Sequence, residues 1–298
     1  MNIVIFGAGA IGSLFGALLS KSNNVLLIGR KPHVTTIQKK GLIIEGKTHL
    51  DVKILAESSV DNVSFSSDLL ILTVKSYDTE AAILQARKII SDNTIVLSLQ
   101  NGLDNIDKIS KHLSSKRIIA GVTTHGAFFS KPGVIKHTGK GMTILGGLNG
   151  KKTNVIDSIV KLFNQTGIDT TESKNILKEI WSKAIINSSI NPLTAIFQCK
   201  NGYLIENPLL EKLVEIICEE STSIANAEGV DLSYSEMLNK TKEVIKNTSD
   251  NYSSMLQSIK KRKKTEIESI NGKLVEIGKK HNISTMINQI LVYSVKSL

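Results

Sequence analysis

Two patterns of apolar and polar residues divide the chain. In the first half, short apolar runs alternate with stretches of helical periodicity; the runs are Asn2 to Phe6, Val25 to Ile28, residues 69–74, Thr94 to Leu97 and Ile118 to Val122. Strands that are apolar on both faces are typical of a parallel sheet covered by helices. We therefore predict a doubly wound α/β domain.

Glycines change this pattern between residues 126 and 147. They separate short β-prone pieces, which we interpret as antiparallel strands that extend the sheet. A helix is predicted over residues 151–165 and a last strand over 168–171. From about Ser173 onward the periodicity is helical, which predicts four or more helices. The predicted domains are residues 1–172 and 173–298.

Composition excludes several classes of protein. The 298 residues are 41% hydrophobic and 21% charged, which is ordinary for a globular chain long enough for two cores. No apolar run approaches the roughly 18 residues of a membrane span, and the N-terminal residues lack the pattern of a signal peptide. Cys199 and Cys218 form neither a disulfide framework nor a metal motif. We expect a cytoplasmic protein with no membrane segment and no metal site.

The first candidate site is a glycine-rich turn between the first predicted strand and the helix that follows it. It comprises Gly7, Ala8, Gly9, Ala10, Ile11 and Gly12. The G-x-G-x-x-G spacing in this context is typical of dinucleotide binding, because the glycines allow a tight turn, close approach of a pyrophosphate and close packing of helix on strand. The positive end of the helix dipole then faces the phosphates. A purely structural turn is the alternative interpretation.

The residues after the second predicted strand indicate which dinucleotide is bound. NAD sites usually place an acidic residue there, where it binds the ribose hydroxyls. This chain has Gly29, Arg30 and Lys31 instead, and a guanidinium can pair with a 2′-phosphate in forked geometry. We therefore predict a preference for NADPH, with two solvated surface charges as the alternative.

Basic residues are in excess over the whole chain, which has a formal net charge of +10. Five of them are consecutive at residues 260–264. Nucleic-acid binding usually combines such charge with interleaved aromatic residues, which this run lacks. We interpret the run as a solvated turn near a helix C-terminus and expect no nucleic-acid partner.

The second candidate site lies in the predicted helical domain. Lys183, Asn187 and Asn191 recur at i, i+4 and i+8, which places them within about 80° of one another on one helix face. Their neighbours are apolar, so this polar stripe either lines a cleft or forms a structural network of buried amides. Pro192 is expected to kink the helix and to free backbone carbonyls near the stripe.

A capping-box spacing occurs further downstream. Thr265 and Glu268 have this spacing, which predicts that a helix begins at Thr265. Glu268 would then have a structural role, and Glu266 would be left without a capping role in the first turn of that helix.

Taken together, these segments resemble the ketopantoate reductase (2-dehydropantoate 2-reductase) family along essentially the whole chain. Beside the glycine turn, the resemblance rests on Arg30, Thr73-Val74-Lys75, Leu99-Gln100-Asn101-Gly102, Lys183/Asn187/Asn191-Pro192-Leu193-Thr194, Asn201-Gly202, Ser253-Ser254-Met255-Leu256-Gln257, Thr265-Glu266-Ile267 and Ile270-Asn271-Gly272. Many dehydrogenases share the glycine turn, whereas the lysine–asparagine segment combined with the later motifs is far more specific.

The resemblance implies a fold and a reaction. The fold is a Rossmann-type doubly wound domain followed by an all-helical domain like the C-terminal domain of 6-phosphogluconate dehydrogenase. The reaction is NADPH-dependent reduction of 2-dehydropantoate to (R)-pantoate, in pantothenate and coenzyme A biosynthesis. Such a reduction needs a proton donor beside the carbonyl oxygen. The family's general acid matches Lys183, and its carboxylate partner matches Glu266.

The resemblance also implies substrate and cofactor contacts. The substrate-binding positions of the family match Asn101, Asn187, Asn191, Asn201 and Ser254. The cofactor-binding positions match the six residues of the glycine turn, Arg30, Lys75 and Asn101. Lys75 and Asn101 follow the third and fourth predicted strands, at the carboxyl edge of the sheet where ligands of such folds bind.

Several hypotheses stay open beside the main one. The nearest is a related NAD(P)-dependent dehydrogenase that acts on another branched 2-keto acid or on an opine. A non-catalytic dinucleotide sensor is a hypothesis of a different class. For a reductase whose partner is the small molecule 2-dehydropantoate, a homodimer and feedback inhibition by coenzyme A are two further hypotheses.

Overall fold

Buried apolar strands form the centre of the first half of the chain, as its apolar runs predict. In the computed structural model, which describes residues 1–151 and 153–298, the strands are β1 (Asn2–Phe6), β2 (Asn24–Ile28), β3 (Leu42–Gly46), β4 (Leu50–Val52), β5 (Leu55–Glu57), β6 (Ser67–Leu72), β7 (Ile90–Ser98), β8 (Ile118–Thr123), β9 (Gly126–Lys131), β10 (Val134–Gly139), β11 (Thr143–Gly147) and β12 (Thr170–Glu172). The helices among them are α1 (Ala10–Leu19), α2 (Lys31–Lys40), α3 (Thr79–Ala86), α4 (Asn105–Ser110) and α5 (Asn154–Gln165).

Helices account for the regular structure of the remaining chain. They are α6 (Ile176–Phe197), α7 (Tyr203–Glu206), α8 (Pro208–Ala227), α9 (Tyr234–Asn247), α10 (Ser254–Lys260), α11 (Lys273–Lys280) and α12 (Met286–Lys296). A π-helical turn at Glu268–Gly272 leads directly into α11. Within residues 1–151 and 153–298, every helix is too short or too polar to cross a membrane.

The chain divides into two compact units. The first consists of Met1–Gln100 with Asn105–Ile176, and the second of Asn101–Asp104 with Leu177–Leu298. The short segment 101–104 thus belongs with the helices, although it follows β7 in sequence. The domain boundary placed between residues 172 and 173 stays a prediction.

The main sheet of the first unit has eight strands in the order β12-β11-β8-β7-β6-β1-β2-β5. The strands from β8 to β5 pair in parallel, and Phe6 aligns with Ile28 on one side and with Leu72 on the other. Ile5 belongs to one core cluster and Phe6 to another, so β1 is buried on both faces. The predicted doubly wound α/β class is confirmed, and the carboxyl ends of β1, β2 and β6 meet at one edge.

The glycine-rich stretch from 126 to 147 does form strands, but only the last of them extends the main sheet. β11 pairs antiparallel with β8, whereas β9 and β10 join β3 and β4 in a second sheet of order β4-β3-β10-β9. The prediction that the whole stretch extends the main sheet is therefore wrong. The cause is the parallel pairing of β10 with the distant β3, which local periodicity cannot reveal.

Helix α1 packs between these two sheets. It contacts β1 and β2 of the main sheet and β3, β9 and β10 of the second. Residues Gly12 to Leu19 are all buried, which explains why the helix is apolar around most of its circumference. The ring of Phe15 meets Phe163 of α5 edge-on, with centroids 6.0 Å apart. The second sheet therefore fixes the helix that follows the glycine turn.

A buried histidine connects α1 and α2 to the second sheet. His33 is 3% exposed, and its Nδ1 accepts the backbone N–H of Gly133 (2.9 Å). Its Nε2 therefore carries the proton and lies 3.0 Å from the hydroxyl of Ser13. Burial lowers the pKa of His33 from 6.5 to about 4. The ring is thus neutral in the folded protein at neutral pH.

We expect His33 to make stability depend on pH. Because its pKa is about 4 in the folded protein and 6.5 in the unfolded chain, only the unfolded chain takes up its proton between these values. The free energy of unfolding should therefore fall as the pH is lowered from about 6.5 to about 4, by up to about 3 kcal/mol from this group. Urea unfolding across this range measures it. His33→Gln should make the profile less steep, with the remaining slope due to His125, whose pKa burial also lowers to about 4. The matched change at the exposed His49 should leave the slope as it is; equal slopes in all three proteins would contradict the assignment.

Candidate active site

At two glycines of the turn between β1 and α1, a side chain would collide with other atoms of the protein. Gly7 has φ +114°, and a Cβ there would lie 2.5 Å from the backbone nitrogen of Val74. A Cβ on Gly12 would lie 2.3 Å from the carbonyl oxygen of Gly7 and 2.5 Å from Oγ1 of Thr73. The same hydroxyl donates to the Gly7 carbonyl (2.8 Å). These contacts hold the turn against the loop after β6.

Gly9 differs from the other two. It is exposed, and the nearest atom to a Cβ added there is the Gly7 oxygen, 3.9 Å away. Gly9 is also the N-cap of α1, which has neither a side-chain cap nor an acidic residue in its first turn. The helix thus presents backbone N–H groups that suit an anion. The chain has room for a larger residue at position 9, so the packing of the protein itself does not require this glycine.

The end of β2 brings a second helix N-terminus to the same sheet edge. The Gly7 and Ala8 N–H groups both donate to the Ile28 carbonyl (3.0 and 2.8 Å), which places the glycine turn beside the β2 end. Arg30 is the N-cap of α2, and both Arg30 and Lys31 are exposed. Neither forms an ion pair within the described part of the chain. The two cations are therefore available to a ligand phosphate near the glycine turn.

The loops after β6 and β7 are joined by a side chain that the sequence did not single out for a role. Gln100 donates from Nε2 to the Val74 carbonyl (2.9 Å) and to Oγ1 of Thr79 (2.7 Å). Its Oε1 accepts from the Ser98 hydroxyl (3.1 Å). Lys75 follows Val74 in sequence, and Asn101 follows Gln100; both are half-buried. Gln100 thus fixes the loop after β6 against the end of β7.

The polar stripe of the second unit lies on one continuous helix. Lys183 and Asn187 are half-buried on α6, and Asn191 is 6% exposed. The apolar neighbours of the stripe belong to core clusters; Ile185 lies in one and Ile190 in another. The prediction that these three polar residues share a helix is confirmed.

Pro192 lies inside α6, which continues to Phe197. A proline has no N–H, so the carbonyl four residues earlier, that of Ser188, loses its helical donor. Asn271 supplies the missing donor, with its Nδ2 3.2 Å from the Ser188 oxygen. The expectation that Pro192 frees a carbonyl near the stripe is confirmed, and a residue from the segment after Glu266 uses it.

The predicted capping box at Thr265 is not formed. Thr265 Oγ1 accepts from the N–H of Ile267 at 3.5 Å, and the carboxylate of Glu268 pairs with Lys296 instead. The helical turn begins at Glu268 and is a π turn, in which the Gly272 N–H donates to the Ile267 carbonyl (2.9 Å). Glu266 therefore lies before the helix, where it is 7% exposed.

Asn201 and Ser254 are both associated with the loop between α9 and α10. Asn201 forms hydrogen bonds to this loop, and Ser254 follows its last residue, the buried Ser253. The Asn201 N–H donates to the Asn251 carbonyl (3.0 Å), and its Nδ2 donates to Oγ1 of Thr248 (2.9 Å). Ser253 is buried, caps α10 through the N–H of Leu256 (3.1 Å) and accepts from Thr194 Oγ1 (2.7 Å). Ser254 is exposed at the first position of α10. Ser253, to which the sequence assigns no role of its own, attaches this loop to α6.

The predicted site residues divide between the two units. The first unit holds the glycine turn, Arg30 and Lys75, whereas the second holds Asn101, Lys183, Asn187, Asn191, Asn201, Ser254 and Glu266. No cluster of three or more histidine, cysteine or acidic side chains suited to a metal occurs in residues 1–151 and 153–298. The chemistry available to the second unit is thus that of an amine, amides, a hydroxyl and a carboxylate.

Family models match both units. The model described as ketopantoate reductase PanE/ApbA matches residues 3–150, and that described as its C-terminal domain matches residues 175–298. The chain belongs to the ketopantoate reductase family. This confirms the family inferred from the motifs. The 2-dehydropantoate 2-reductase of Pyrococcus abyssi is 42% identical over 98% of this chain and 95% of its own, and that of Pyrococcus horikoshii is 41% identical over 100% and 97%.

Solved structures of this family and of a related dehydrogenase share the fold. A ketopantoate reductase from Ralstonia eutropha has a TM-score of 0.91 at 30% identity, with 100% of this chain and 98% of that chain covered. A ternary structure of D-mandelate dehydrogenase with NADH and anilino(oxo)acetate has a TM-score of 0.95 at 29% identity, with the same coverage. The fold therefore occurs in relatives with different keto-acid chemistry.

Proposed function

We propose that this protein is a 2-dehydropantoate 2-reductase, which uses NADPH to reduce 2-dehydropantoate to (R)-pantoate in pantothenate and coenzyme A biosynthesis. The observation that carries the proposal is the stripe of Lys183, Asn187 and Asn191 along the otherwise apolar helix α6 of a ketopantoate reductase family member. Its curated relatives of more than 40% identity are 2-dehydropantoate 2-reductases.

The glycine turn, Arg30, Lys75 and Asn101 would hold the cofactor. The open face at Gly9 and the uncapped N-terminus of α1 fit a pyrophosphate. When bound, NADPH supplies the hydride that adds to C2 of the keto acid.

The side chains of the second unit would manage the charge and the proton of the reaction. As the C2 carbonyl is reduced, negative charge develops on its oxygen, and Lys183 donates a proton to that oxygen. Glu266 aims the ammonium group of Lys183 by accepting from it. Asn187, Asn191 and Asn201 offer amide groups to the substrate oxygens, and Ser254 donates to its carboxylate. The products are an alcohol and NADP⁺.

We expect Arg30 to set the choice between NADPH and NADH. A charge-assisted hydrogen bond to a phosphate contributes about 2 kcal/mol, so Arg30→Ala should lower the NADPH/NADH ratio of kcat/KM by about 30-fold. The loss should appear in the KM for NADPH, with kcat nearly unchanged. Steady-state kinetics with both cofactors measure the ratio, and Lys39→Ala, on the same helix, is the matched control. An unchanged ratio in the Arg30 variant would remove it from 2′-phosphate recognition.

A panel of keto acids tests the proposed reaction. Purified protein should oxidise NADPH fastest with 2-dehydropantoate, more slowly with 2-ketoisovalerate and more slowly still with benzoylformate, the keto acid that corresponds to mandelate. A preference for benzoylformate would instead favour the alternative of a dehydrogenase for another 2-keto acid, which the likeness to D-mandelate dehydrogenase supports. Tight NADPH binding without turnover on any keto acid or opine substrate would favour the dinucleotide sensor.

The partners and location of the protein are part of the same proposal. A homodimer is supported by α12, where Met286, Ile290 and Tyr293 are 68%, 51% and 64% exposed along one face, and light scattering tests it. Coenzyme A is proposed as a feedback inhibitor that competes with NADPH, which inhibition kinetics test. A cytoplasmic location is proposed from the biosynthetic reaction, and cell fractionation tests it.

A further inference from the structure

The π turn Glu268–Gly272 is attached to the loop that contains Asn101. The carbonyl of Ser269 accepts from the Leu103 N–H (3.0 Å), and the Ser269 hydroxyl donates to Oδ2 of Asp104 (3.1 Å). The turn also begins two residues after Glu266. Single π turns are uncommon and occur frequently at functional sites. This one lies where two segments with proposed site residues meet.

The same turn is attached to helix α6. Asn271, which is fully buried, donates from Nδ2 to the Ser188 carbonyl (3.2 Å). That carbonyl is available because Pro192 offers no N–H to it. A proline inside a helix is unfavourable for the helix itself, since alanine at the same position would complete the hydrogen-bond ladder. The presence of proline at position 192 leaves the Ser188 carbonyl as an acceptor for Asn271.

The orientation of Asn271 is fixed from its other side. Its Nδ2 also donates to Oδ1 of Asn288 (2.9 Å), which is fully buried as well. Asn288 in turn donates from its own Nδ2 to Oε1 of Glu220 (2.7 Å). The Glu220 carboxylate accepts the N–H groups of Ile287 and Asn288 at the start of α12 (3.1 and 3.0 Å). Because Asn288 must turn its amide nitrogen toward Glu220, its oxygen faces Asn271 and requires a donor there.

We propose that Asn271 is a positioning residue for the proposed reaction, and that Pro192 is the residue that makes this role possible. Asn271 fixes the π turn, and with it the preceding Glu266, against the helix that carries Lys183, Asn187 and Asn191. The inference rests on the proposed function, because it concerns the alignment of the proposed general acid with its carboxylate partner.

Three variants test this inference: Pro192→Ala, Asn271→Leu and the double variant. Pro192→Ala gives the Ser188 carbonyl a helical donor, and Asn271→Leu removes the amide at similar volume. Each should lower kcat at least about tenfold, because small displacements of catalytic groups are costly, while the Kd for NADPH stays within about twofold. Pro192→Ala introduces a competitor for the bond between Asn271 and the Ser188 carbonyl, and Asn271→Leu removes that bond together with the donor to Asn288. The double variant should therefore be no slower than Asn271→Leu alone.

Thr241→Val is the matched control, because it removes a buried hydroxyl whose hydrogen bonds, to the Met237 carbonyl of its own helix (2.8 Å) and to Cys218 of α8, involve neither α6 nor the π turn. It should leave kcat unchanged. If Asn271→Leu does not fold, Pro192→Ala alone decides the question. That variant should fold, because alanine is favourable inside a helix. Unchanged kcat in folded Pro192→Ala, or effects of the two changes that multiply, would overturn the proposal.

Amide hydrogen exchange separates this inference from the proposed reaction, because it needs no substrate. In Pro192→Ala, peptides over residues 265–272 should exchange at least about tenfold faster than in the unchanged protein, while the helix α9 that contains Thr241 exchanges as before. Unchanged exchange over 265–272 would overturn the positioning role of Asn271. Faster exchange in a protein that reduces no keto acid would support the positioning contact and reject the proposed function.

Discussion

Replacing Lys183 with methionine should lower kcat by about a thousandfold, because a positioned general acid contributes on the order of 10² to 10⁴ in rate. Methionine retains an unbranched apolar side chain at this half-buried position of α6, so the fold should persist. NADPH binding should be nearly unchanged, since Lys183 belongs to the second unit and the glycine turn to the first. Rapid-quench kinetics and a fluorescence titration of NADPH measure the two effects separately.

Lys178→Met is the control for this experiment, because it makes the same change on the same helix at a similarly half-buried position. It should retain turnover within about twofold, as is usual for substitutions away from the chemistry. Undiminished turnover in the Lys183 variant would remove this residue from the mechanism. Loss of turnover in both variants would mean that the substitutions disturb helix α6, and the effect would not be due to the Lys183 amine.

Alanine in place of Gly12 should mainly lower stability, whereas alanine in place of Gly9 should mainly weaken NADPH binding. Gly12→Ala should lower the free energy of unfolding by about 3 kcal/mol, since its Cβ meets the Gly7 oxygen at 2.3 Å and that neighbour is backbone. Gly9→Ala should lower it by about 1 kcal/mol or less, the loss expected for alanine at an N-cap, because its Cβ meets only the Gly7 oxygen, at 3.9 Å. It should instead raise the Kd for NADPH about a hundredfold, as overpacking against the pyrophosphate costs about 3 kcal/mol.

Chemical denaturation and NADPH titration of the two glycine variants give both quantities, and each variant serves as the control for the other. Tight NADPH binding by Gly9→Ala would show that a ligand does not approach this glycine. The turn would then be the purely structural feature that its spacing alone also allowed.

Features that depend on residues close in sequence could be predicted from the sequence. The strands β1, β2, β6, β7 and β8 follow from apolar runs, and the shared helix of Lys183, Asn187 and Asn191 follows from their i, i+4, i+8 spacing. The freed carbonyl near Pro192 follows from the chemistry of proline. The family follows from motifs, and the two family models bear it out.

Features that depend on contacts between distant segments could not be predicted. β3 pairs with β10, which comes about ninety residues later in the chain, so the second sheet could not be predicted from local patterns. The same holds for the contacts of Gln100, Ser253 and Asn271, each of which is an ordinary polar residue until the fold supplies its partner. At Thr265 the local signal was misleading, because Glu268 pairs with Lys296 of α12 rather than with its own turn.

An internal competition experiment tests the central claim most directly. 2-Dehydropantoate and benzoylformate at equal concentration share one enzyme and a limiting amount of NADPH. Chiral liquid chromatography with mass detection follows both alcohol products. Their ratio equals the ratio of the two kcat/KM values. We predict at least about tenfold more (R)-pantoate than mandelate, because a site that hydrogen-bonds the substrate's own hydroxyl leaves amide groups unpaired against an analogue that lacks it. An excess of mandelate, or pantoate of the opposite configuration, would contradict the account.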